Sequence, residues 1–150
     1  MNPFDLKTAL LAKHAQHVVL IHFPIALFMV SLAFDLLALW KDNRQLAIAA
    51  YYNLVAAAIA ALPAVATGLL AWQWLYGGKK LRGHLRLHLL LGLASSTMIW
   101  LLCWWRTRQQ RKPGSRLTSV YLAIELVAVA LIALTGHLGG ILSGVEAPTG

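Results

Sequence analysis

Four apolar runs, each long enough to cross a bilayer and joined only by short charged or glycine-bearing connections, leave this chain few folds to adopt. They cover roughly 17–40, 46–75, 84–105 and 118–142 and are bounded by KDNR, YGGKKLRG and RTRQQRKPGS. A hydrocarbon layer about 30 Å thick takes about 20 helical residues at 1.5 Å each. In lipid, a backbone must satisfy its own N–H and C=O groups, so each run has to be a helix; the alternating pattern of barrel strands is absent. The expected fold is all-α: a transmembrane four-helix antiparallel bundle of up-down type, forming one membrane domain over 1–150. Pro24 and Pro63 fall inside runs, where membrane helices accept kinks. The first run is too long and begins too late for a signal peptide, with no small-residue cleavage site, so it is expected to stay as an anchor.

Composition agrees, with 59% hydrophobic and only 12% charged residues, against about a quarter charged in a soluble domain. The net charge of +8 therefore does not point to nucleic acid. The basic residues are confined to the flanks of the runs, where they meet lipid headgroups. Lys7, Lys13, Lys79, Lys80, Arg82 and Arg86 flank one end, and Lys41, Arg44, Arg106, Arg108, Arg111, Lys112 and Arg116 the other. The densest cluster, 106–116, places its own face in the cytoplasm and the opposite face in the periplasm of a bacterial inner membrane. Trp40, Trp72, Trp74, Tyr76, Trp100, Trp104 and Trp105 sit near run ends as an aromatic belt.

Cys103 is the single cysteine, so internal disulfides, iron–sulfur clusters and thioether-linked haem have no ligands. No phosphate-binding glycine loop, H-E-x-x-H or paired-carboxylate motif is present. Inverted repeats around a midplane site, as in a transporter, are not visible.

The histidines are the residues that carry chemistry. His14, His17 and His22 open the first run, His84 and His88 open the third, and His137 closes the fourth. Since successive helices reverse direction, all of them belong to one membrane face. His22, His88 and His137 lie four or five residues inside their runs, about 6–8 Å below the interface. An ionisable residue within a membrane is costly and points to function, whereas His14, in the amphipathic lead, is an ordinary interfacial residue. His84 and His88, four apart, share one helix face. His17 and His22, five apart, differ by about 140° and cannot both address one spot unless the first turn bends. With helices one and three parallel and diagonal, His22 and His88 could offer two axial imidazoles to a haem iron.

The surroundings fit a flat anionic cofactor. Gly136, Gly140 and Gly144 recur every four residues beside His137, with Gly139 adjacent, and Ala66 and Gly68 thin the second run at similar depth. Such small residues leave room for a macrocycle, or let helices touch directly. Arg82 and Arg86, with Lys79 and Lys80, stand where propionates need cations, or serve as lipid anchors. At the far end, Asp35 and Glu125 lie inside runs one and four. They are expected to reach water or a flanking arginine at the opposite headgroups, or else to form a proton-handling or quinone-facing pair with Asn53 or Arg106.

H-x4-HFPIAL from His17 to Leu27, ATGLLAW from Ala66 to Trp72, the histidines opening run three, and TGHLGG from Thr135 to Gly140 resemble the bacterial four-helix membrane family catalogued as domain of unknown function twenty-two thirty-one. The resemblance covers nearly the whole chain and implies a prokaryotic inner-membrane protein of similar fold. It places functional weight on His17, His22, His84 and His137 and supplies no reaction. The chain departs from the family pattern at Val18, Ala71, Ile141 and Ser143.

Three readings follow. The first is a b-type cytochrome that exchanges electrons with a quinone or a redox partner protein. It holds one haem b through two of His22, His88 and His137, and His17 and His84 leave ligands for a second. Another is a copper or zinc ion bound by His22, His88 and His137. A third is a structural or assembly subunit of a membrane complex whose histidines contact headgroups or a neighbour.

Overall fold

The computed structural model of the chain describes residues 13–75, 78, 82–110 and 118–143. Lys7, Tyr76, Lys79, Lys80, Arg111, Lys112, Arg116 and Gly144, named above, lie outside them, as do the side chains of Lys13 and His14. The helices are α1 (Lys13–Lys41), α2 (Arg44–Leu75), α3 (Gly83–Gln110) and α4 (Ser119–Ser143). Each contains a stretch long and apolar enough to span a membrane: 16–41, 44–74, 83–109 and 119–143. The chain is a multi-pass membrane helix bundle. Most helices run beyond the apolar runs, and α1 in particular begins a full turn before His17.

The helix ends are written locally. Asp42 adopts a left-handed backbone (φ 46°) that stops α1. Directly after it, the Asn43 side-chain oxygen accepts from the N–H groups of Gln45 (2.8 Å) and Leu46 (3.3 Å), capping α2. Thr118 Oγ1 accepts from the Tyr121 N–H and caps α4 in the same way.

Buried positions step along each helix by alternating intervals of three and four. On α1 the stripe includes Pro24, Phe28, Ser31, Asp35 and Ala38, and on α2 Ala50, Leu54, Ala57, Ala61 and Ala64. On α3 it includes Ser95, Ile99, Leu102 and Arg106, and on α4 Tyr121, Glu125, Ala128 and Ile132. A stripe of this period keeps facing the bundle axis over about three to four turns, the geometry of nearly parallel four-helix packing. Alanine dominates the inner face of α2, which lets α1 approach closely, and α1 on α2 is the most extensive interface. The α3–α4 pair is next, and α2–α3 and α1–α4 complete the ring, so α1 and α3 oppose each other across the diagonal.

The outward faces carry Phe23, Leu39, Ile59, Leu62, Leu90, Leu101, Val120 and Leu134, all exposed and all apolar, as a lipid-facing surface requires. Arg108 lies 4.4 Å over the Trp104 ring and Lys41 5.5 Å over Trp40, pairing cation and indole at the run ends.

Candidate functional site

A cavity of about 420 Å³ opens among the four helices at the histidine end. Its lining is largely apolar, with His17, His22 and His88 and the glycines Gly68, Gly92, Gly136, Gly139 and Gly140. A Cβ built on Gly136 would meet nothing within 4 Å. Gly136 and Gly140, both named from the sequence, are among the residues that line this space.

Two histidines meet across the diagonal, and they are His17 and His88 rather than His22 and His88. Their ring centres lie 6.5 Å apart with the planes at 86°. The reason is helical phase. Because α1 starts at Lys13, His17 is already inside a regular helix, seven residues before Pro24 and on the stripe that continues through Ser31 and Asp35. His22, about 140° away, is exposed at the cavity rim and donates from Nδ1 to the Val18 carbonyl of its own helix (2.6 Å). His84 and His137 are exposed, and neither borders the cavity. Among the described residues, no group of three or more His, Cys, Asp or Glu side chains converges as a metal site. Arg82 and Arg86 stand exposed at the same end.

The hydrogen bonds fix which nitrogen each ring offers. His88 Nδ1 lies 3.0 Å from the Thr135 carbonyl oxygen, which can only accept, so Nδ1 carries the hydrogen and Nε2 the lone pair. His17 Nδ1 lies 3.3 Å from Thr67 Oγ1. The Thr67 hydroxyl donates its one hydrogen to the carbonyls of Pro63 (2.8 Å) and Ala64 (3.1 Å), so it too accepts from Nδ1–H. Both imidazoles are thus held through Nδ1, each anchored from behind in the manner of metal-ligating histidines.

Glycine seats both rings. A Cβ on Gly68 would fall 2.9 Å from His17 Cε1, and one on Gly139 3.2 Å from His88 Cε1. These two glycines thus make room for imidazoles, where the sequence had suggested room for a macrocycle. His17 precedes Gly68 by the same fifty-one residues that separate His88 from Gly139. The α1–α2 and α3–α4 hairpins thus build matching halves of one site, a relationship that no repeat in the residue pattern had disclosed.

At the opposite end, Asp35 and Glu125 are fully buried and do not reach water; of the expected alternatives, contact with an arginine holds for Asp35. Arg106 crosses the diagonal and grips Asp35 with both terminal nitrogens, Nη1 to Oδ2 and Nη2 to Oδ1 (2.7 Å), while Nη2 also donates to the Ala47 carbonyl (3.0 Å). Asn53 takes no part: its amide donates to the Ala49 carbonyl.

No curated protein and no solved structure matches the chain. A family model does, over residues 13–146: the family described as "Predicted membrane protein (DUF2231)". That match takes in all four helices and both buried clusters, and the chain belongs to this family of membrane proteins.

Proposed function

We propose that the cavity holds one haem b with His17 and His88 as its axial ligands, and that the protein exchanges electrons with a quinone or a redox partner from the bacterial inner membrane, its histidine end periplasmic. The observation that carries this reading is the opposed pair of imidazoles 6.5 Å apart. A metal bonded at about 2 Å to a nitrogen of each ring sets the ring centres roughly 6 Å apart. Two ligands are also what a haem iron needs from a protein, since the porphyrin supplies the rest; a bare copper or zinc ion takes three or four. The three-histidine ion of His22, His88 and His137 has less support, because two of those rings are exposed.

Haem bound there would supply one-electron chemistry. The chain's own residues do the remainder. Thr67 and Thr135 hold the rings through Nδ1, Gly68 and Gly139 let them stand against the helices, and the largely apolar lining suits the faces of a macrocycle. Arg82 and Arg86 offer cations to propionates at the mouth.

The test is the optical spectrum of the detergent-extracted protein from haem-replete cells, with metal analysis. A sharpened α band on dithionite reduction and one iron per chain are expected. A colourless protein, or one with stoichiometric copper or zinc and no iron, removes this reading.

A further inference from the structure

We propose that the cluster of Asp35, Arg106, Tyr121 and Glu125 is a second site, one that binds a single exchangeable proton, and that Glu125 carries it. This site is separate from the histidine cavity and does not depend on what the cavity holds.

The cluster joins three helices through side chains and the fourth through a carbonyl. Asp35 faces Glu125 from α1, Arg106 from α3 and Tyr121 from its own helix. On the fourth side, α2 presents the Ala47 carbonyl to Arg106 and, among the described residues, no ionisable group that acts on Glu125. Asp35, Tyr121 and Glu125 are 0% exposed and Arg106 4%. The guanidinium fork is spent on Asp35, and its carbon sits 5.5 Å over the Tyr121 ring. Neither Glu125 carboxyl oxygen nor the Tyr121 hydroxyl has a partner at full hydrogen-bond geometry, although Asp35 and Tyr121 lie close enough to act on the Glu125 carboxyl.

Charge counting does the rest. Two carboxyls and one guanidinium are neutral together only when one carboxyl holds a proton. An unpaired charge is what a water-free interior tolerates least. Asp35 is committed to the ion pair with both oxygens, which leaves Glu125. A purely structural clamp needs Asp35 and Arg106, with the Tyr121 ring against the guanidinium, and gives no work to a second buried carboxyl one turn along α4. Release breaks the Glu125 O–H bond and passes the proton to water at the near membrane face, with Tyr121, one turn closer to the start of α4, as the adjoining hydroxyl. The carboxylate left behind shares Arg106 with Asp35, so release leaves the cluster one negative charge in excess, and uptake restores neutrality.

Infrared spectra of the full chain in lipid nanodiscs, recorded in H2O and D2O, test this. At neutral pH we expect the carbonyl stretch of a protonated carboxyl, shifted in D2O and lost in Glu125→Gln. The chain has two glutamates, Glu125 and Glu146, so 13C-glutamate labelling of the unaltered protein assigns the band to glutamate even where Glu125→Gln fails to fold. Asp35→Asn should also abolish it with Glu125 in place, since the one remaining carboxyl becomes the sole counter-ion of Arg106. Absence of the band at neutral pH, or a band that survives Asp35→Asn, overturns the proposal. A glutamate band that never shifts in D2O overturns it as well, by making the proton a static structural one.

Discussion

His17 and His88 meet edge-on from diagonally opposed helices, their ring centres 6.5 Å apart and their planes nearly perpendicular. Each ring is tied through Nδ1 to a threonine of the antiparallel neighbour, Thr67 on α2 or Thr135 on α4. The proposed ligands differ from those that depth in the membrane alone would select. Single replacements of His17 and His88 by alanine should therefore each abolish the reduced haem spectrum, while His22→Ala, His84→Ala and His137→Ala retain it. Loss of colour in His22→Ala with retention in His17→Ala would reverse the assignment.

The seat of each ring is as specific as the ring. Alanine at Gly68 puts a methyl 2.9 Å from His17 Cε1. An imidazole is the far end of a side chain and can swing aside, so the fold should lose little. Metal affinity should fall about 10–100-fold, the usual cost of disturbing the groups behind a ligating histidine. Gly139→Ala, with a contact of 3.2 Å to His88, should act in the same direction and less strongly. Thr67→Val, which removes the acceptor for His17 Nδ1, should give a loss of the same order. Titration of stripped protein with haem, read against thermal unfolding of the same variants, separates the two effects.

Gly136 is the contrasting position. It lines the cavity, and a Cβ there meets nothing within 4 Å. Gly136→Ala should leave folding and binding nearly unchanged. Gly136→Leu should fill space and block the cofactor while the bundle stays folded, as read by helical circular dichroism and by size-exclusion elution in detergent.

The helices, their order and the end at which the histidines gather were legible in the sequence because membrane thickness and backbone self-satisfaction leave almost no alternative. Which histidines converge was not read, although the signal was present. His17, Pro24, Ser31 and Ala38 repeat every seven residues, and Asp35 follows His17 by eighteen, which is five turns at 3.6 residues per turn. On α3, His88 and Arg106 are also eighteen apart. Two parallel helices with the same spacing can pair both residues at once, about 27 Å apart along the bundle. Depth below the interface favoured His22, whereas helical phase decided for His17. The burial of Glu125 had no comparable signal, since an acidic residue six or seven positions inside a run can reach either the headgroups or the core.

The Asp35–Arg106 pair gives the last prediction. Removing Arg106 as Arg106→Met strands Asp35 beside Glu125 without a counter-charge, and should cost about 3–5 kcal/mol of stability, the usual penalty for orphaning one member of a buried pair. Asp35→Asn should cost distinctly less, because Glu125 lies within electrostatic range of Arg106 and can become its partner. Combining Asp35→Asn with Arg106→Met removes the charge on both sides and should recover most of the loss seen in Arg106→Met alone. Denaturant unfolding of the four proteins in one detergent measures the cycle. Equal losses for the two single variants would show that Glu125 cannot stand in for Asp35. Additive losses in the double variant would show that the two side chains are not coupled at all, which their two-pronged contact across the diagonal rules against.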